Sequence, residues 1–229
     1  MQNILLYNKV SLLFLVGAMV YGVMTAGNMS AAVTLTMSVV IVCLARIFHD
    51  KAGVRHAYLA GIALACAAMA WPYVLALLPV LLFFLIKPQE AFSLRNVAAM
   101  LLGILTPGWI YLPYWLYVHL KAMDWMLLAE HYKLVQVSVP LLDYDELTPL
   151  QPVVYGLLLL LFLILTVRRS SFRYKGKLFV RSQRAMYVSL VWIMVVLIPL
   201  FPSFADYLLP LMAACIGPVA AQAMTGNDR

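Results

Sequence analysis

Asp143-Tyr-Asp145-Glu146 is the only acidic cluster in this 229-residue chain, and the first place where its residue types could do chemistry. Neighbouring carboxylates offer the oxygen ligands that a divalent cation prefers, or a general base for a lipid-linked substrate held at a membrane face. Two or three carboxylates without further fixed ligands make a weak site, so a solvated loop is the competing reading and no metal is expected. Glu130-His131 is a single polar pair, without the second His of a zinc-peptidase helix and without a Ser or Cys placed as a nucleophile. No catalytic motif stands out, and no cofactor is implied.

A second constellation is aromatic. Trp109, Tyr111, Tyr114, Trp115 and Tyr117 crowd a stretch punctuated by Pro107, Gly108 and Pro113. They form either an interfacial belt or, where the prolines interrupt a helix at depth, a cavity in which Trp109, Tyr111, Tyr114 and Trp115 grip a lipid or sugar. A third is basic: Arg168, Arg169, Arg173, Lys175, Lys177, Arg181 and Arg184 lie in one connection with no acidic residue, a density suited to anionic phospholipid headgroups. Arg46, His49, Asp50, Lys51, Arg55 and His56 make a second polar connection, whose two His lack partner ligands.

The elements that must position these residues are apolar. The chain is 65% hydrophobic and 11% charged, with a mean hydropathy of +0.94, outside the range of water-soluble globular domains. An all-α polytopic transmembrane bundle is expected, a single integral membrane domain over residues 1–229 with about eight spans near 10–26, 31–47, 57–70, 73–86, 96–118, 151–167, 185–200 and 207–224. The third and fourth are divided only by Trp71-Pro72-Tyr73, where Pro72 removes a donor and disfavours helix at Trp71; a tight hairpin is expected rather than one bent helix.

That threading puts fourteen of the sixteen Lys and Arg on one side, leaving only Lys121 and Lys133 on the other. Under the positive-inside rule both termini and the 168–184 loop are cytoplasmic, and the 119–151 loop is external. Asp124, Glu130, Asp143, Asp145, Glu146 and Asp206 fall outside; Asp50, Glu90 and Asp228 fall inside. The net charge of +7 is then a record of topology, not of nucleic-acid binding. Lys9 and the apolar run after it resemble a secretory signal, but a retained first span is expected.

Ala57, Gly61 and Ala65 recur at four-residue intervals, which lets helix backbones approach and places the third span inside the bundle, with a homodimer seam as the alternative. Cys43, Cys66 and Cys215 are spread through apolar spans and read as small core residues. The external segment begins as an amphipathic helix, with Leu120, Met123 and Leu127 on one stripe and Lys121, Asp124 and His131 on another.

Leu44-Ala-Arg-Ile-Phe-His49, the segment from Ala57 to Phe84 broken at Trp71-Pro72-Tyr73, and Phe92-Ser-Leu-Arg95 followed by Leu102-Gly-Ile-Leu-Thr-Pro107 carry a resemblance. In this order, over roughly residues 30–118, the chain resembles the uncharacterised multi-pass inner-membrane proteins of the Bacteroidota. The resemblance implies a bacterial inner-membrane bundle and brings no catalytic residues with it.

Three functional classes are expected, in this order. The first is a non-enzymatic subunit or assembly factor of the cell envelope beside a membrane-protein partner, since few ionisable groups lie at mid-depth. The second is an enzyme acting on a lipid-linked sugar or polyprenyl phosphate through Asp143, Asp145 or Glu146. The third is a small-molecule transporter built on short, proline-interrupted helices, although no inverted repeat is found.

Overall fold

The computed structural model of the chain describes residues 2–47, 53–87, 90–120, 144, 148–170 and 178–225. Among these residues there are helices and no strand. In chain order they are α1 (Gln2–Ala26), α2 (Asn28–Arg46), α3 (Val54–Ala70), a 3-10 turn (Pro72–Leu77) running into α4 (Leu78–Ile86), α5 (Leu94–Leu120), α6 (Leu150–Ser170), α7 (Leu178–Leu200), a second 3-10 turn (Pro202–Phe204) and α8 (Ala205–Thr225).

Four stretches are long and apolar enough to cross a membrane: Asn28–Arg46, Leu150–Val167, Val180–Leu200 and Pro202–Met224. They mark the chain as a membrane protein. Four more are shorter apolar helices: Lys9–Thr25, Val54–Ala70, Pro72–Ile86 and Leu94–Ile110. The eight apolar segments of the sequence therefore become eight helices, of which four have both the length and the hydropathy of a full span.

Local chemistry sets the boundaries. Gly27 turns α1 into α2 with φ of 72°, a left-handed conformation that glycine adopts without a Cβ penalty. Trp71 is extended (φ −147°, ψ 97°) because Pro72 follows it, and α3 ends there. Ser93 caps α5: its Oγ accepts from the Asn96 N–H at 3.2 Å, so the Ser-Leu-Arg turn is a helix start. Pro107 and Pro113 do not end α5, which runs through both.

The helices pack around α8. It touches α1, α2, α6 and α7, while α3 packs on α2 and α5 packs closely on α3. The centre holds Leu208, Leu209, Leu211, Met212 and Cys215 of α8, with Met37 and Leu44 of α2 and Leu190 and Met194 of α7. The α3–α5 contact depends on two glycines. A Cβ on Gly61 would strike the Met100 carbonyl and stand 3.0 Å from the Gly103 Cα, so backbone meets backbone, as in small-residue packing of membrane helices. Ala57 and Ala65 are buried beside it, and Tyr58 Oη and Thr106 Oγ1 share a hydrogen bond of 2.9 Å across the same contact. Of the cysteines, Cys43 and Cys215 are buried, but Cys66 is exposed, correcting its reading as a core residue. It shares the outward face of α3 with Leu59, two turns earlier.

Candidate functional site

Proline chemistry organises one end of the bundle. Pro210 lies inside α8 and has no N–H to donate to the carbonyl of Asp206, one turn back. Ser30 Oγ, in the first turn of α2, donates to that carbonyl at 2.6 Å. Pro199 inside α7 likewise frees the Val195 carbonyl, and the Tyr155 hydroxyl of α6 donates to it at 3.0 Å. An apolar helix tolerates an internal proline when a neighbour satisfies the freed carbonyl, and here two neighbours do.

Thr148-Pro149-Leu150-Gln151 then opens α6. Its order is that of a capping box with proline at the first helical position. Gln151 Oε1 accepts from the Thr148 N–H at 3.1 Å, and the Gln151 N–H donates to the Thr148 carbonyl at 3.0 Å. The Gln151 side-chain amide has a second duty: Nε2 donates to Asp206 Oδ1 at 2.7 Å. Asp206 is thus held through its backbone by α2 and through its carboxylate by α6. Its negative charge sits in the first turn of α8, where the helix dipole favours it.

Aromatic rings close the same end. Trp71 stacks on Tyr207 with centroids 4.8 Å apart and planes 3° from parallel. Phe204 meets Trp71 edge-on at 5.4 Å and lies 4.6 Å from Tyr73. Offset and edge contacts of this kind stabilise beyond area alone. Tyr144 reaches the same end, donating its hydroxyl to the Pro199 carbonyl at 2.9 Å. Residues from the α1–α2, α3–α4, α5–α6 and α7–α8 connections therefore meet around 199–207.

No family model, curated protein or solved structure matches this chain.

The chemistry of the site follows from its own bonds. Asp206 Oδ1 accepts from the Gln151 amide, and through this contact it clamps α8 to α6. Ser30 Oγ gives its proton to a backbone carbonyl, a structural rather than a nucleophilic use of the hydroxyl. Among the described residues no three His, Cys, Asp or Glu side chains come together as a metal set.

Of the candidate site residues that the sequence singles out, Trp109, Arg181 and Arg184 have described side chains. Asp143, Asp145 and Glu146 fall outside the described residues, as do Glu130 and His131; Tyr144 between the acids is described and 52% exposed. Trp109 stands on α5, 71% exposed. Tyr111, Tyr114 and Trp115 follow on the same helix, with side chains outside the described residues. Arg168 and Arg169 end α6, also without described side chains; Arg173, Lys175 and Lys177 lie outside the described residues. Arg181 is exposed and Arg184 half-buried near the start of α7.

Gln151, Asp206, Ser30 and the Trp71–Tyr207 stack were not among the residues picked from the sequence. Two signals pointed to part of the cluster: the capping-box order at Thr148 to Gln151, and the Asp206/Pro210 spacing of four, which leaves a carbonyl that needs a donor. Nothing in sequence order brings Trp71 to Tyr207.

Proposed function

We propose that this chain is a multi-pass protein of a bacterial inner membrane, with about eight spans and both termini cytoplasmic. In that setting it acts as a non-enzymatic subunit or assembly factor of the cell envelope. The observation that carries this reading is where the polar side chains go. At the end around 199–207, Ser30, Tyr155, Gln151 and Asp206 take up proline-freed carbonyls and helix caps. Groups bound in this way hold helices together and leave little to move a proton or an ion.

The eight-span threading draws support from the same end. The four connections that the charge pattern puts outside are the four whose residues meet around 199–207, as an alternating up-and-down bundle requires. The basic segment from Arg168 to Arg184 then contacts anionic phospholipids on the cytoplasmic side. Kinship with the multi-pass inner-membrane proteins of the Bacteroidota fits this reading. A reporter fused after Gly176 should behave as cytoplasmic, and its export would reverse the topology.

The functional reading is tested by gentle extraction in native lipid, weighing the intact assemblies and identifying every co-purifying species. A stoichiometric membrane-protein partner is the expected result. A retained polyprenyl or glycolipid without any protein partner would overturn it in favour of an enzyme using Asp143, Asp145 or Glu146. Changing those three to Asn or Gln at constant abundance should then abolish function.

A further inference from the structure

α1 and α6 both pack on α8 and leave a cleft between them. Its volume is about 300 Å³, at the small end of ligand pockets. Leu209 and Ala213 of α8 form the floor, and Val154 and Leu158 of α6 form one wall. Gly17 and Tyr21 of α1 lie on the other wall. The lining is apolar, and at one end stands Tyr21, whose hydroxyl is buried and has no hydrogen-bond partner among the described residues. A buried hydroxyl left unpaired is costly, so a bound acceptor would stabilise it.

The dimensions suit one leaflet of a bilayer. From Tyr21 to Leu13, the extent of the cleft along α1, the helix rises about 12 Å. Half of a hydrocarbon core is about 15 Å. The helices beside the opening present apolar side chains, with Leu13 70%, Val153 66% and Leu157 65% exposed. Midway along the cleft a Cβ on Gly17 would meet nothing within 4 Å. The Tyr21 end is also the Asp206 end: a Cβ on the next residue, Gly22, would stand 3.0 Å from Ser30 Oγ and 3.5 Å from Pro210 Cγ. Ser30 in turn is bonded to the Asp206 backbone.

We infer that the cleft seats one acyl chain of a phospholipid, with Tyr21 donating to the ester carbonyl at its head and the partly exposed Asp206 selecting an ammonium headgroup. Charge decides the class. An anionic headgroup at this end would face the Asp206 carboxylate, whereas the ammonium of phosphatidylethanolamine is complementary to it. This lipid site is separate from the basic segment and its anionic lipids, and it does not depend on the subunit reading above.

The test places the full-length protein in bilayers of equal phosphatidylethanolamine and phosphatidylglycerol, extracts it gently and weighs the complexes by native mass spectrometry. One phosphatidylethanolamine per chain should be retained in preference to phosphatidylglycerol. Gly17→Leu fills the cleft without a backbone clash and replaces a weak helix former. It should lower that retention at least ten-fold while the melting temperature measured without lipid holds or rises. Tyr21→Phe removes the donor and should lower retention three- to ten-fold, about one neutral hydrogen bond. Equal retention of the two headgroups would overturn the proposal, as would unchanged retention in Gly17→Leu. If Gly17→Leu failed to fold, unchanged retention in Tyr21→Phe would overturn it alone.

Discussion

α5 and α8 are alike as sequences and opposite as structures. Each is an apolar helix of more than 20 residues carrying two internal prolines. Yet α8 touches four neighbours and has Leu208, Leu209, Leu211 and Met212 almost fully buried, while α5 packs closely on α3 and leaves Leu102, Leu105, Trp109 and Ile110 more than half exposed. In a membrane an apolar surface has no water to escape, so hydrophobicity does not sort helices into centre and edge. Sorting is done by shape and by hydrogen bonds. α8 offers the Asp206 carbonyl and carboxylate to α2 and α6, and α5 offers Gly103 to Gly61.

The sharpest way to break that comparison is to cut the same kind of side chain from each helix. Met212→Ala at the centre should destabilise the fold by about 2–5 kcal/mol through the cavity it leaves. Leu102→Ala on the outward face of α5 should stay within about 0.5 kcal/mol. Reversible unfolding in detergent or bicelles measures both, and equal losses would mean that α8 is not central.

Next in size is the proline pair on α8. Ser30→Ala leaves the Asp206 carbonyl buried without a donor, at about 1–3 kcal/mol. Pro210→Ala restores the backbone N–H and should recover most of that loss in the Ser30→Ala background. A double-mutant cycle with no coupling between the two would show that the hydroxyl is not answering the proline.

Two glycines on α5 separate close approach from helix propensity. Gly103→Ala should cost about 1–3 kcal/mol, because its Cβ would strike the Tyr58 carbonyl. Gly108→Ala meets nothing within 4 Å and should be neutral or stabilising by up to about 1 kcal/mol. Equal costs would remove the Gly61–Gly103 contact as the reason that α5 stays on α3.

Much of the fold was legible because membrane helices announce themselves by length and composition. The break at Trp71-Pro72 was legible from proline sterics, and the interior position of Gly61 from its small neighbours. The candidate site was not. The adjacent carboxylates Asp143, Asp145 and Glu146 lie outside the described residues. Among the described residues the structure gathers Ser30, Trp71, Gln151 and Asp206 from four separate connections. Of the aromatic run after Pro107, Trp109 lies on an exposed face. Residues distant in sequence meet only when loops close and helices choose neighbours, and no local pattern encodes that choice.

By itself the sequence determined that the chain is helical and apolar, where its helices begin and break, and that the prolines in α7 and α8 would leave carbonyls needing donors. These are local consequences of hydropathy, capping and proline sterics. The tertiary structure decided that α8 would be the centre, which hydroxyls would answer the prolines, and that α1 and α6 would stand apart around the Tyr21 hydroxyl. Those outcomes depend on the fit of one surface against another, to which eight similarly apolar segments give almost no individual signature.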